Sequence, residues 1–169
     1  MKAVQETLSH PFPPVYDARS RVLVLGTFPS VKSRGMGFYY GHPQNRFWRV
    51  LGGAYGEKTP ETIEEKRAFL LAHGVALWDV FKSCDITGSA DASIRHAETN
   101  DIAALLWETG ISRVVANGRT AHMHYMKHVY PLTNIPALAL PSTSPANASC
   151  SLEKLTAAWR AALLPEGDA

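Results

Sequence analysis

Cysteine is scarce: the 169 residues hold only Cys84 and Cys150. Two thiols cannot build a four-thiolate metal or iron–sulfur site, and a chain of this size needs no disulfide scaffold to hold a core. Long apolar runs are missing too. No stretch reaches membrane-spanning length, and the N-terminal MKAVQETLSHPFPPVYD lacks the apolar centre of a signal peptide. Neither sign of charge dominates: 17 Lys and Arg stand against 15 Asp and Glu, a net +2 with a pI near 8.6. Such mild basicity permits nucleic-acid binding without arguing for it. Repeats and low-complexity tracts are absent as well. What remains, 46% hydrophobic and 19% charged, is a globular composition. It predicts a soluble, reduced, cytoplasmic protein with one domain over residues 21–169, after an extended proline-bearing arm over residues 1–20.

Four apolar runs read as buried strands: Val22–Leu25, Val75–Val80, Val114–Ala116 and Ala137–Leu140. Helical patterns separate them. One runs from Pro43 to about Val50. A second opens at Thr59-Pro60-Glu61 and stops at Gly74, a third runs from Thr99 to Gly110, and a fourth from Gly118 to about Val129, where Pro131 blocks extension. The last begins at Ser151, with Leu152, Leu155, Trp159 and Leu163 at helical spacing. Strand alternating with helix predicts an α/β fold, a three-layer α/β/α sandwich around a four-stranded parallel sheet. Ligands of such sheets sit beyond the carboxyl ends of the strands. Loops rich in small and polar residues leave three of those ends, after Leu25, Ala116 and Leu140.

The first of these loops is the most informative. After Gly26 it carries Pro29, Ser30, Gly35 and Gly37, then Phe38-Tyr39-Tyr40, then Gly41-His42-Pro43-Gln44-Asn45-Arg46-Phe47-Trp48. Glycines admit close backbone approach, and aromatic faces offer stacking for a flat ring; the ring expected is a nucleobase. Stacking on Tyr40 contributes on the order of 1–3 kcal/mol; Phe38 reads better as core. Asn45 is no base, but an amide can hold a water through its carbonyl oxygen and donate through its NH2. That suffices for glycosidic cleavage through an oxocarbenium-like state; the plainer role is a helix cap. His42 either orients Asn45 or a water, or is structural. Asn117 can read a base edge or merely make a turn. Ser142, Ser144 and Pro145, with Lys32 and Arg34, are candidate phosphate contacts. His122, His124 and His128 share one helix, but no third ligand is evident and no metal is expected. Asp79, Asp85 and Asp91 offer a carboxylate pair of unknown separation. No G-x-S-x-G and no G-K-[ST] occurs.

Taken together, GTFPS, GMGFYYGHPQNRFW, VVANGRTA and LPSTSPAN resemble the uracil-DNA glycosylase superfamily, and within it the hypoxanthine-DNA (deoxyinosine) glycosylase branch. The resemblance spans about Arg21 to Trp159 and implies a three-layer α/β/α domain. Mismatch-specific members carry a water-positioning asparagine in G-x-N-P-G, where this chain has Phe28; the iron–sulfur branches need more cysteines. In the hypoxanthine branch the catalytic asparagine falls on Asn45. By the same carry-over Gly26, Phe28, Tyr40 and Asn117 bind the base, and the loop of Ser142, Ser144 and Pro145 meets DNA, with Lys32 and Arg34 beside it.

The resemblance implies a monofunctional enzyme without cofactor or metal. It acts as a monomer on DNA containing a deaminated base, which it must first extrude, and it leaves an abasic site. Excision of uracil or of mixed deaminated bases, a catalytically silent nucleic-acid binding module and a small nucleotide-sugar hydrolase are the alternatives.

Overall fold

The computed structural model describes residues 6–9, 12–28, 35–86 and 95–164, with the backbone alone over 6–9, 83–86 and 95–97. Its centre is a parallel sheet of β2 (Val22–Gly26), β3 (Val75–Asp79), β6 (Arg113–Asn117) and β7 (Ala137–Leu140), in the order β3-β2-β6-β7. Both faces are covered, which is why the strands read as continuous apolar runs. Alternation divides them. Val22, Val24, Val75, Leu77 and Val115 face one core with α1 (Phe47–Tyr55), α2 (Ile63–Ala72) and α6 (Leu152–Leu163). Leu23, Leu25, Ala76, Val114 and Ala116 face the other with α3 (Ile102–Glu108) and α4 (Arg119–His128). The expected α/β/α sandwich is therefore the observed one.

Several boundaries differ from the sequence reading, each for a local reason. Helix α1 starts at Phe47, not Pro43, because Asn45 N–H closes a turn onto His42 O and Asn45 Oδ1 accepts from Phe47 N–H at 2.9 Å. Helix α2 is capped by Thr62 rather than Thr59, with a reciprocal contact between the Thr62 hydroxyl and Glu65. Asp101, not Thr99, caps α3. The fourth helix, α4, does end where expected, at His128 before Val129; Pro131 sits in the first turn of a separate short α5 (Tyr130–Thr133), a position that tolerates a missing N–H. Gly74, at φ 68°, does terminate the α2 region, and Ser151 does cap α6.

A second sheet went unread. Strands β1 (Glu6–Ser9), β4 (Phe81–Ile86) and β5 (Arg95–Thr99) form an antiparallel sheet in the order β1-β4-β5. The expected arm thus contributes a strand, and Val15 bridges Leu77 at the edge of the main sheet. The short polar strands lack the β-branched alternation that signals pairing from sequence. Asn100 fastens the link between the sheets: its Nδ2 donates to the carbonyls of Asp79 and Phe81.

Trp159 joins α6 to the cleft rim. It is fully buried, packs edge-on against Phe47 and donates its Nε1–H to Pro141 O at 3.0 Å. Trp159→Ala is expected to cost about 3–5 kcal/mol in chemical denaturation, because a large side chain leaves a cavity and Pro141 O loses its donor.

Candidate active site

The strand ends set out the site. Gly26 pairs in register with Asp79, and Asn117 lies level with Gly26 on its other side, one residue beyond the Leu25–Ala116 pair. By alternation all three belong to the face that α1 covers. The carboxylate and hydroxyl around Gly26 leave it no side-chain space: a Cβ there would stand 2.3 Å from Asp79 Oδ1 and 2.7 Å from the Tyr40 hydroxyl. Asp79, read from sequence only as one of three loose carboxylates, is thus a buried group at the cleft floor. The Asp85 side chain and Asp91 lie outside the described residues.

Above this row stands a polar network. Thr143, fully buried, places its hydroxyl between two amides: it donates to Asn45 Oδ1 at 2.9 Å and accepts from Asn117 Nδ2 at 2.9 Å. Its backbone N–H returns to Asn117 Oδ1 at 3.0 Å. The polarity is set from one end. Phe47 N–H is a backbone donor, so the Asn45 atom facing it must be oxygen, and every later donor and acceptor follows. Asn45 Oδ1 therefore accepts two hydrogen bonds. Its Nδ2 has no partner among the described residues. Of the two uses of the amide expected from sequence, the carbonyl is occupied and the N–H donors have no partner among the described residues; Asn45 also takes the first N–H of α1, from one position before the Arg46 cap.

Arg46, given no role in the sequence reading, clamps the Ser142–Cys150 loop to the start of α1. Its guanidinium donates to Asn147 O at 2.9 Å and to Cys150 O at 2.5 Å, and its backbone N–H to Thr143 O at 3.1 Å. An arginine beside a helix cap gives no sequence signal of a partner a hundred residues away.

The other candidates distribute as follows. Tyr40 holds φ 52°, a left-handed backbone, and its ring stacks on Phe47 at 4.1 Å and 26°. One face is therefore taken, and only the other can receive a base. Phe28 is half-buried against the opposite core. Phe38 is core, as expected. His42 Nδ1 accepts from Gln44 N–H in the turn before α1, a structural role. Asn117 is committed to Thr143 through both polar atoms and keeps one N–H and one lone pair for a ligand. Ser142 and Ser144 accept from the N–H groups of Ser144 and Ala146. With Arg119 and Asn147 they line a groove of about 610 Å³ on the rim, and Pro145 is exposed at its tip. Lys32 and Arg34 lie outside the described residues. His122 bonds Ala137 O, and the His124 and His128 rings stack; no group of three metal-ligating side chains occurs among the described residues. Burial, assisted by the Asp79 carboxylate, pushes the Tyr39 phenol up from its ordinary range, so it stays a neutral donor to Pro13 O at 3.0 Å.

Comparison with known proteins agrees with this geometry. The uracil DNA glycosylase superfamily model matches residues 13–165. Two similar curated proteins both bear the name hypoxanthine DNA glycosylase. One, from Methanosarcina acetivorans, is 40% identical over 112 residues, 65% of this chain and 71% of that protein. The other, from Methanosarcina barkeri, is 39% identical over 95 residues, 56% of this chain and 60% of that protein. A solution NMR structure from Methanosarcina acetivorans, provisionally described as a uracil DNA glycosylase, is similar at TM-score 0.79 and 33% identity, covering 94% of this chain and 97% of that one. A parallel sheet whose ends gather Gly26, Asn45, Asn117 and the Thr143 loop, matched by that family model over nearly its whole length, places this chain in the uracil DNA glycosylase superfamily.

Proposed function

We infer that the protein is a monofunctional DNA glycosylase that releases deaminated bases, chiefly hypoxanthine, from DNA. The observation that carries the reading is Asn45, held by two donors at its oxygen with its N–H groups unpartnered among the described residues. The names of the two relatives support hypoxanthine as the substrate base.

A base inside the duplex is out of reach, so the nucleotide must rotate out, at a cost of a few kcal/mol that is smallest for a poorly paired base. The open face of Tyr40 stacks on it, and the unused N–H and lone pair of Asn117 meet its edge. The C1′–N9 bond then breaks with its electron pair leaving on the base, and C1′ becomes oxocarbenium-like. A water whose oxygen accepts one Asn45 N–H aims its other lone pair at C1′. The new C1′–O bond forms, and the water's proton ends on the released purine. No strong base is needed, because the cation accepts a weak nucleophile; fixed dipoles at the strand ends and loop supply the stabilisation. No step uses a lysine, a metal or a cofactor, so the product is an unbroken strand with an abasic site. The Ser142–Ser144 groove, Pro145, Lys32 and Arg34 take the DNA backbone. No helix among the described residues is long and apolar enough to cross a membrane; the reading takes the enzyme as a monomer that meets DNA in the cytoplasm.

Labelled duplexes carrying single deoxyinosine, deoxyuridine or undamaged bases, treated with alkali after incubation, test the assignment. Release is expected from deoxyinosine first, and Asn45→Ala is expected to lower it about a hundredfold or more while duplex binding persists. Release of no base from any duplex, with binding intact, would instead support a silent binding module. Gly26→Ala drives a methyl group into Asp79 and Tyr40. It is expected to cost about 1–3 kcal/mol in stability and to cut hypoxanthine release more than tenfold, measured by denaturation and single-turnover cleavage.

A further inference from the structure

We propose that Thr143 is a positioning residue for the reaction: its hydroxyl is the middle of a one-way hydrogen-bond relay that fixes the orientation of the Asn45 amide. The inference rests on the reading of Asn45 as the catalytic amide and goes beyond it.

The relay has a single direction. Asn117 Nδ2–H gives to Thr143 Oγ1, and Thr143 O–H gives to Asn45 Oδ1, which leaves the Asn45 N–H groups without a partner among the described residues. The Thr143 hydroxyl can take both parts because a single oxygen accepts and donates at once. With its oxygen held by Thr143 O–H and Phe47 N–H, the Asn45 amide has one orientation, so a water that accepts from its N–H is held at one place. The arrangement is rigid as well. Thr143 is fully buried, its carbonyl accepts from Arg46 N–H, and its N–H is held by Asn117. The hydroxyl therefore cannot turn elsewhere without leaving Asn45 Oδ1 one donor short. It also spans long distances in sequence, bonding residues 98 and 26 positions away. The loop that carries the candidate DNA contacts Ser142 and Ser144 is thus joined to the amide by Thr143 itself. Nothing about this role needs Thr143 to touch substrate.

The test compares Thr143→Val, which keeps shape and burial and removes the hydroxyl, with Thr143→Ser, which restores it, and with Asn45→Ala. Each variant is checked for folding by thermal melting. Each is then assayed for single-turnover release of hypoxanthine from a deoxyinosine duplex and for the dissociation constant of that duplex. Thr143→Val is expected to cut the single-turnover rate about tenfold to a hundredfold with duplex affinity within about threefold, and Thr143→Ser is expected to recover most of the rate. A purely structural threonine would move the melting temperature and affinity and leave the rate of bound enzyme unchanged. The proposal is overturned if Thr143→Val cleaves at the wild-type rate while Asn45→Ala does not, or if its loss lies in duplex affinity. Full cleavage by Asn45→Ala overturns the catalytic amide itself and the relay with it. Should Thr143→Val not melt cooperatively, Thr143→Ser decides: a rate reduced as far as that of Asn45→Ala overturns the relay, and a rate near wild type supports it.

Discussion

Burying Thr143 at the end of a parallel sheet, between two half-buried amides, is costly unless each of its polar groups finds a partner. The cleft depends on that condition being met. Thr143 has no exposed surface, yet its N–H, O–H and oxygen lone pair each find a partner in Asn117 or Asn45, and its carbonyl finds Arg46 N–H. Because the groups come from the turn before α1, from the end of β6 and from the loop after β7, satisfying one fixes three segments against each other. Arg46 adds two further bonds across the same seam, and Trp159 holds the loop's first carbonyl. The loop that would meet DNA is thereby braced at its base, while its Ser144–Ala146 tip stays at the surface.

The same economy of space governs the sheet end. Parallel strands in register put Asp79, Gly26 and Asn117 in one row. Neighbouring strands lie about 4.8 Å apart, too close for three side chains of ordinary size and a Tyr40 ring above them. Glycine in the middle resolves the crowding, since Asp79 and Tyr40 fill the volume that a side chain would take. Tyr40 accepts a left-handed backbone to reach that position. Strain of that kind, outside glycine, is found where the surrounding structure demands a particular placement. Here it lays the ring on Phe47 and carries the hydroxyl over Gly26.

Much of the fold was legible because burial on both faces writes itself into a sequence. All four core strands were found from apolar runs alone, with ends one residue off at most, and the three-layer order followed from alternation with helices. Helix starts were less legible. Pro43, Thr59 and Thr99 carry the usual signals, but the true starts answer to Asn45, Thr62 and Asp101, whose side chains reach the right N–H groups. The sheet of β1, β4 and β5 gave no signal, because its short strands are specified by pairing across the chain and not by their own pattern. In the site, Asn45, Tyr40, Asn117 and Gly26 were named from motifs and do meet at the cleft; Thr143, Arg46 and Asp79 were not given their places.

By itself the sequence determined the kind of fold and the stock of groups at the strand ends, since both depend on local pattern: which residues shun water, which turn, which stack. Only the tertiary structure decided what those groups are free to do. An asparagine offers a donor and an acceptor equally in a sequence. Which of the two remains for a substrate is settled when a backbone N–H two residues on and a hydroxyl 98 residues away take the oxygen, because a hydrogen-bond acceptor already filled cannot be read from the residue that carries it.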